Sequence, residues 1–260
     1  MSRTALTIAP PVMEARRWLE ERAPDGLPLL NVSQAAPTQA PHPGMVAAMV
    51  EALAETDTHL YGPVLGLPAL REAIAARWTR NYGGELRLSQ VGITSGCNEA
   101  FAATISMLCG EGDEVILPTP FYFNHKMWLD MAGVETVPLP CGAGQVPQVA
   151  RAKELISAKT RAIVLVSPNN PTGAEYPAET IGAFYTLCQS AGIALIIDET
   201  YRDFLTAPGA PHALFQDDGW PDTLIHLYSF SKAYRLTGHR IGAVFTSEAR
   251  LAEIEKYLDT

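Results

Sequence analysis

Lys232, in Tyr228-Ser229-Phe230-Ser231-Lys232, directly follows the short apolar run Leu224 to Leu227. An amine at the end of a strand and partly out of water has a depressed pKa, and such an amine attacks carbonyl groups. Eight residues further on, Arg240 offers a guanidinium fork for a phosphate, and Ser229 and Ser231 add hydroxyls. Asp198 ends the apolar run Ile193 to Ile197, where an unpaired carboxylate is costly, so it needs a cationic or strongly donating partner. Thr94-Ser95-Gly96-Cys97-Asn98-Glu99 stands between a predicted strand and a predicted helix. Free N–H groups and the positive helix end make such a turn an anion site, and Gly96 lets an oxyanion approach the backbone.

Each feature also has a plainer reading. Ser95 or Asn98 could simply cap a helix, Asp198 could cap the following turn, and Lys232 could be a surface lysine. Two other motifs fit the same letters: Ser229-x-x-Lys232 matches the SxxK of penicillin-recognising serine hydrolases, and Tyr228-x-x-x-Lys232 the pair of short-chain dehydrogenases. Their companions, the SDN and KTG triplets and the TGxxxGxG turn, are missing. Taken together, the chain offers a helix end, hydroxyls and an arginine for an anion, a buried carboxylate for a cation, and a lysine for a carbonyl. A phosphorylated pyridine aldehyde carries all three groups, so the combination points to pyridoxal 5'-phosphate (PLP).

The elements that must position these residues alternate as in a wound α/β sheet. Short strands are predicted at Leu29 to Val32, Val91 to Thr94, Glu114 to Leu117, Glu135 to Leu139, Arg161 to Val166, Ile193 to Ile197, Leu224 to Leu227 and Ile241 to Phe245. Helices are predicted over Val12 to Arg22, Gly44 to Glu55, Ala69 to Asn81, Glu99 to Leu108, Asn124 to Met131, Gln148 to Ala158, Ala178 to Ser190 and Glu248 to Leu258, with a short one from about Lys232. Pro43 and Pro68 suit first-turn positions, and Gly133 suits the residue past a helix end. Ligands of open α/β sheets bind beyond the carboxyl ends of the strands, which is where Ser95, Asp198 and Ser229 fall.

Composition narrows the class. The 260 residues are 47% hydrophobic with a formal net charge of −9, enough apolar content for a core and the wrong sign for a nucleic-acid or anionic-membrane surface. No apolar run approaches the ~18 residues that span a bilayer. Cys97, Cys109, Cys141 and Cys188 form no CxxC pair or disulfide framework, and the start lacks the apolar stretch of a secretory signal, so a reducing cytoplasm is expected. The six histidines show no metal-binding spacing, and no metal is expected.

Six segments, in order, resemble the class I/II aminotransferases, the fold type I PLP enzymes related to aspartate aminotransferase. They are Tyr61 to Arg71, Thr94 to Ala100, Pro120-Phe121-Tyr122, Asn169-Asn170-Pro171-Thr172-Gly173, Asp198-Glu199-Thr200-Tyr201 and Ser229 to Gly242. The resemblance implies a three-layer α/β/α large domain with a mostly parallel sheet over residues 46–260, preceded by an N-terminal segment, residues 1–45. It implies that Lys232 forms a Schiff base with PLP and then carries the proton of a 1,3-shift, with Asp198 paired to the pyridine nitrogen. Asn170 and Tyr201 would bind the phenolate oxygen and Tyr122 would stack on the ring. Ser95, Gly96, Cys97, Ser229 and Arg240 would hold the phosphate, with Tyr61 reaching the phosphate of a neighbouring subunit in a homodimer.

The activity implied is transfer of an amino group between an amino acid and a 2-oxo acid, with a PLP-dependent lyase or a PLP-binding chain without turnover as alternatives. Two departures stand out. The turn where relatives carry a glycine near the substrate has Ala35, in Ser33-Gln34-Ala35-Ala36-Pro37, and only 28 residues follow Lys232. The family's C-terminal small domain and its substrate-binding arginine are therefore expected to be absent. Tyr122, Phe123 and Trp128 hint at an aromatic-tolerant pocket, although core packing suits Trp128 better.

Overall fold

The computed structural model describes residues 1–22 and 26–260. In chain order the elements are α1 (Arg3–Leu6), α2 (Pro11–Glu20), α3 (Pro43–Ala52), α4 (Pro68–Tyr82), β1 (Val91–Thr94), α5 (Cys97–Leu108), β2 (Glu114–Thr119), α6 (Phe123–Ala132) and β3 (Glu135–Pro140). They continue with α7 (Val149–Leu155), β4 (Thr160–Val166), α8 (Ala178–Ala191), β5 (Ala194–Asp198), α9 (Trp220–Thr223), β6 (Leu224–Ser229), β7 (Gly242–Phe245) and α10 (Glu248–Leu258). The strands form a seven-stranded sheet in the order β1-β7-β6-β5-β4-β2-β3. All neighbouring pairs are parallel except those of β7, which runs antiparallel to both β1 and β6. The sheet is thus α/β and mostly parallel, as the sequence indicates.

Both faces of the sheet are covered, which is why its strands read as continuous apolar runs. Along β5, Leu195 and Ile197 enter one core with Trp78, Tyr82, Phe184 and Tyr228, while Ala194 and Ile196 enter the other with Phe101, Leu129, Leu251 and Ile254. Helix α4 shows the matching three-to-four spacing: Arg71, Ile74, Ala75, Trp78 and Tyr82 are its buried residues. Arg71 pins that helix to the sheet, donating from Nε to the Val91 carbonyl at 2.7 Å and from Nη2 to that of Leu88 at 3.0 Å. Pro43 and Pro68 open α3 and α4, and Gly133 ends α6 in the left-handed conformation. Trp128 packs against the second core, the structural role expected of it.

Two expectations fail. Leu29 to Val32 is not a strand: it has no pairing partner, and Leu30 and Val32 are 83% and 90% exposed. Four residues away from any sheet edge cannot satisfy their backbone groups as a strand. No helix forms at Lys232 either. Residues 230–233 are turn, closed by an Arg235 N–H bond to the Lys232 carbonyl at 3.1 Å, and Arg235 then takes φ +57°, which stops helical propagation.

The register fixes the site. Ser229 pairs with Gly242, and Gly242 with Thr94; Asp198 pairs with Val166 on one side and Leu227 on the other. The turn after β1, the last residue of β5, the end of β6 and the start of β7 therefore lie along one edge of the sheet.

Candidate functional site

Helix α5 begins at Cys97 with Gly96 as N-cap, and no side chain caps it. The capping readings of Ser95 and Asn98 thus give way to an end whose first N–H groups are left for another acceptor. The Ser95 N–H itself is taken by the Glu99 carboxylate. Gly96 has φ +94°, and a Cβ there would overlap the Arg240 guanidinium. A Cβ on Gly242 would come within 2.5 Å of the Gly96 carbonyl carbon. Glycine at 96 leaves room for Arg240 against the turn, and glycine at 242 lets the start of β7 pack on the turn's backbone. Arg240 Nη1 donates to the Thr237 carbonyl at 3.0 Å and faces Ser231 Oγ at 3.4 Å, while Nη2 reaches the Ser95 carbonyl at 3.5 Å. Ser229 Oγ accepts the Ser231 N–H at 3.2 Å, beside these groups. An arginine, two serine hydroxyls and a helix end converge here as an anion cradle.

Asp198 is buried at the neighbouring strand end. Its Oδ1 accepts the Thr200 N–H at 2.9 Å and its Oδ2 lies 3.3 Å from His125 Nε2. Burial would raise this carboxyl, but the hydrogen bonds of His125 and Thr200 outweigh it and hold it below the ordinary range. The Cys97 thiol, pushed far up by burial and by Asp198, stays neutral and also donates to that carboxylate. His125 stacks on Phe101 with centroids 4.0 Å apart, which sets its ring direction. Tyr122 stands edge-on to His125 at 5.1 Å, and burial, then Asp198, push its hydroxyl up to about 12.

Lys232 is half-buried on the turn after β6. Its Nζ donates to the Ala35 carbonyl at 2.6 Å and stands 5.7 Å from the centroid of the Tyr201 ring. Burial, and then Arg240, lower its pKa, the condition for a nucleophilic amine. Asn169 shapes the turn after β4: its Oδ1 accepts from the N–H and hydroxyl of Thr172, and its Nδ2 donates to Tyr176. Asn170 follows it, half-buried. Tyr61 is fully exposed.

Neither rival motif assembles. The Tyr228 hydroxyl donates to Asp203 rather than facing Lys232, and Ser229 is buried with its oxygen committed to the Ser231 N–H. Sequence reasoning missed His125, because only the packing of α6 on α5 brings it to Asp198. It also read the histidines as scattered, whereas the fold gathers His212 and His226 around Glu199, one atom of each within 4.8 Å of the others. Leu214 donates its N–H to His212 Nδ1 at 3.3 Å, and His212 Nε2 faces Glu199 Oε1 at 3.2 Å. His226 Nε2 lies 2.9 Å from Oε2, and the Tyr82 hydroxyl donates there too. The set is a buried carboxylate with two donors on Oε2 and the His212 ring facing Oε1.

These groups make stability depend on acid pH. Burial opposes the charge on Glu199, yet His212 and His226 drive its pKa well below the ordinary value; burial holds that of His226 below its own. In each case the unfolded chain binds more protons, so stability rises with pH. The contribution of His226 is lost as pH falls below about 6.5, and those of Asp198 and Glu199 as it falls below about 4. Urea midpoints measured from pH 7 to pH 3 should drop accordingly, and Glu199→Gln should flatten the lower part of the curve. A midpoint constant down to pH 4 would contradict this account.

A family model described as aminotransferase class I and II matches residues 28–259, and the chain belongs to that family. It is 34% identical over 213 residues to an arginine–pyruvate transaminase of Pseudomonas aeruginosa, covering 81% of this chain and 54% of that protein. It is 33% identical over 243 residues to a valine–pyruvate aminotransferase of Mycobacterium tuberculosis, covering 90% and 60%. Among solved structures, the Thermus thermophilus aspartate aminotransferase with maleate superposes with a TM-score of 0.91 at 26% identity, covering 99% of this chain and 67% of that one. The chain spans little more than half the length of the curated relatives it matches.

Proposed function

We propose that the chain binds PLP at this sheet edge and serves an aminotransferase that moves an amino group between an amino acid and a 2-oxo acid. The observation that carries the reading is the convergence of a half-buried lysine, a buried anionic carboxylate and an uncapped helix end beside Arg240. The residues fit the group at each of its three ends: the cradle of Ser95, Gly96, Cys97, Ser229 and Arg240 for the phosphate, Asp198 for the ring nitrogen, Lys232 for the aldehyde.

When bound, PLP supplies an electrophilic carbon for amines and an electron-poor ring that spreads the charge left by a departing α-proton. The protein orients and stabilises. Arg240 and the α5 N–H groups fix the phosphate as an anchor, which holds the rest of the group in one pose. Asp198, kept ionised by His125 and Thr200, supplies a fixed negative charge for a cationic ring nitrogen. Lys232, with its lowered pKa, acts first as nucleophile and then carries a proton on Nζ. Tyr201 and Asn170 supply donors for the ring oxygen, and Tyr122 covers a ring face. Exposed Tyr61 suits a role at a second subunit, so a homodimer is part of the proposal. A cytoplasmic location accords with four free cysteines. No helix among the described residues is long and apolar enough to cross a membrane.

Purified chain incubated with PLP should gain a visible absorbance band, and borohydride reduction should leave the cofactor's mass on the peptide carrying Lys232. Labelling spread over the other lysines, or none at all, would refute the reading.

A further inference from the structure

Beneath the site, polar side chains form one connected network outside the cofactor-facing set. Asp203 is its hub. Its Oδ1 pairs with Arg77 Nη2 at 2.7 Å and Arg202 Nη1 at 3.1 Å, and its Oδ2 accepts the Tyr228 hydroxyl at 2.5 Å. The Asp203 side chain is only 18% exposed and that of Arg202 7%, while Tyr228 is fully buried. Arg77 continues the chain, donating from Nη1 to the Tyr234 hydroxyl. Arg202 continues it the other way, donating from Nε to the Tyr82 hydroxyl at 2.9 Å, which in turn donates to Glu199.

The two ends of this network are informative. Glu199, Arg202 and Asp203 belong to the turn that carries Asp198 and Tyr201; Tyr234 lies two residues past Lys232, on the turn that carries the lysine. The two turns follow the paired strands β5 and β6, and beyond that pairing the ammonium meets the Tyr201 ring where both turns keep their places. We propose that Asp203 is a positioning residue that, through Arg77 and Tyr234, holds the Lys232 turn against the Tyr201 turn and so presets the Lys232–Tyr201 pair before any ligand arrives. This rests on the reading above that both residues serve one bound group. A partly exposed ion pair contributes little to stability by itself, so a strut of three donors drawn from α4, β6 and the turn itself acts chiefly by fixing geometry.

The test needs no cofactor. The chain has five lysines, so reductive ¹³C-methylation gives few resonances, and the one lost in Lys232→Arg is that of Lys232. Its titration reports how deeply the amine sits among its neighbours, which are Arg240, the Tyr201 ring and the Ala35 carbonyl. Asp203→Asn should raise the titration midpoint by about half a pH unit or more, because a loosened turn releases the amine to water. Loss of a nearby anion alone would move it downward, so the direction separates positioning from simple electrostatics. Tyr234→Phe, which keeps the ring and cuts only the last link, should shift it the same way and keeps the proposal testable if Asp203→Asn does not fold. Asp203→Glu should restore much of the original midpoint. Ile254→Val, which loosens the opposite core, should leave it alone. An unchanged midpoint in both Asp203→Asn and Tyr234→Phe, or an equal shift in Ile254→Val, would overturn the proposal. Failure of Lys232 to take up PLP would instead overturn the functional reading and leave this cofactor-free titration untouched.

Discussion

Lys232→Ala is expected to abolish the visible PLP band and to lower amino-group transfer by at least about 10²–10⁴-fold, the range lost with a single positioned proton-transfer group. The reasoning is local. The amine is half-buried, its pKa is lowered by burial and by Arg240, and its hydrogen bond to Ala35 places it at the Tyr201 ring. No other lysine ends a strand at this edge, so nothing inherits the role. The fold should not notice the change: the turn at residues 230–233 is held by backbone bonds and by buried Phe230 and Ser231, and a half-exposed side chain away from the core costs within about 0.5 kcal/mol. A normal urea midpoint with no band, and partial rescue of transfer by a small added amine, is the expected pattern. Undiminished transfer would remove Lys232 from the chemistry.

The largest effect on stability is expected at Trp78. It is 1% exposed and fills the space between α4 and the sheet, stacked on Phe245 at 4.8 Å and edge-on to Tyr228 at 4.8 Å. The guanidiniums of Arg202 and Arg77 lie 5.5 and 5.7 Å from its ring centroid. Trp78→Ala should cost about 3–5 kcal/mol, lost transfer energy plus a cavity that rigid strands cannot close. The indole Nε1 is buried without an acceptor among the described residues, so Trp78→Phe removes an unsatisfied donor along with the bulk. Phe should therefore cost much less than Ala. Chemical denaturation of the two variants decides this, and equal costs would mean that the ring volume is not what matters.

How much of this could be read from letters depends on the distance over which each interaction acts. The β5 run ending in Asp198 was plain, because a strand buried on both faces must be apolar throughout and a carboxylate at its end is conspicuous. The turn after β1 was equally visible, since glycine between a strand and a helix has a local cause. Lys232 and Arg240 were legible as chemistry but not as geometry; the helix predicted at Lys232 is a turn, because Arg235 enters a left-handed conformation that no local pattern announces. His125, Glu199, His212 and His226 escaped for another reason. Their partners lie far away in sequence, and spacing rules see only neighbours. Leu29 to Val32 had the composition of a strand, yet no sheet edge reaches it, and pairing is a property of the whole fold.

The position of β7 governs when the proposed cofactor site can exist during synthesis. Among the described residues β1 has no sheet partner except β7, which joins it from about 150 residues further along the chain. A growing polypeptide can therefore build the parallel part of the sheet while β1 and the anion-binding turn behind it wait unattached. Arg240 and Gly242 arrive with the same late strand that captures β1, so the strand that completes the sheet also brings the arginine proposed to hold the phosphate. Affinity for PLP would then work as a completion signal: a nascent or nicked chain ending before residue 242 would present a bare β6 edge, prone to pair with other chains, and would have no cradle with which to hold the ligand.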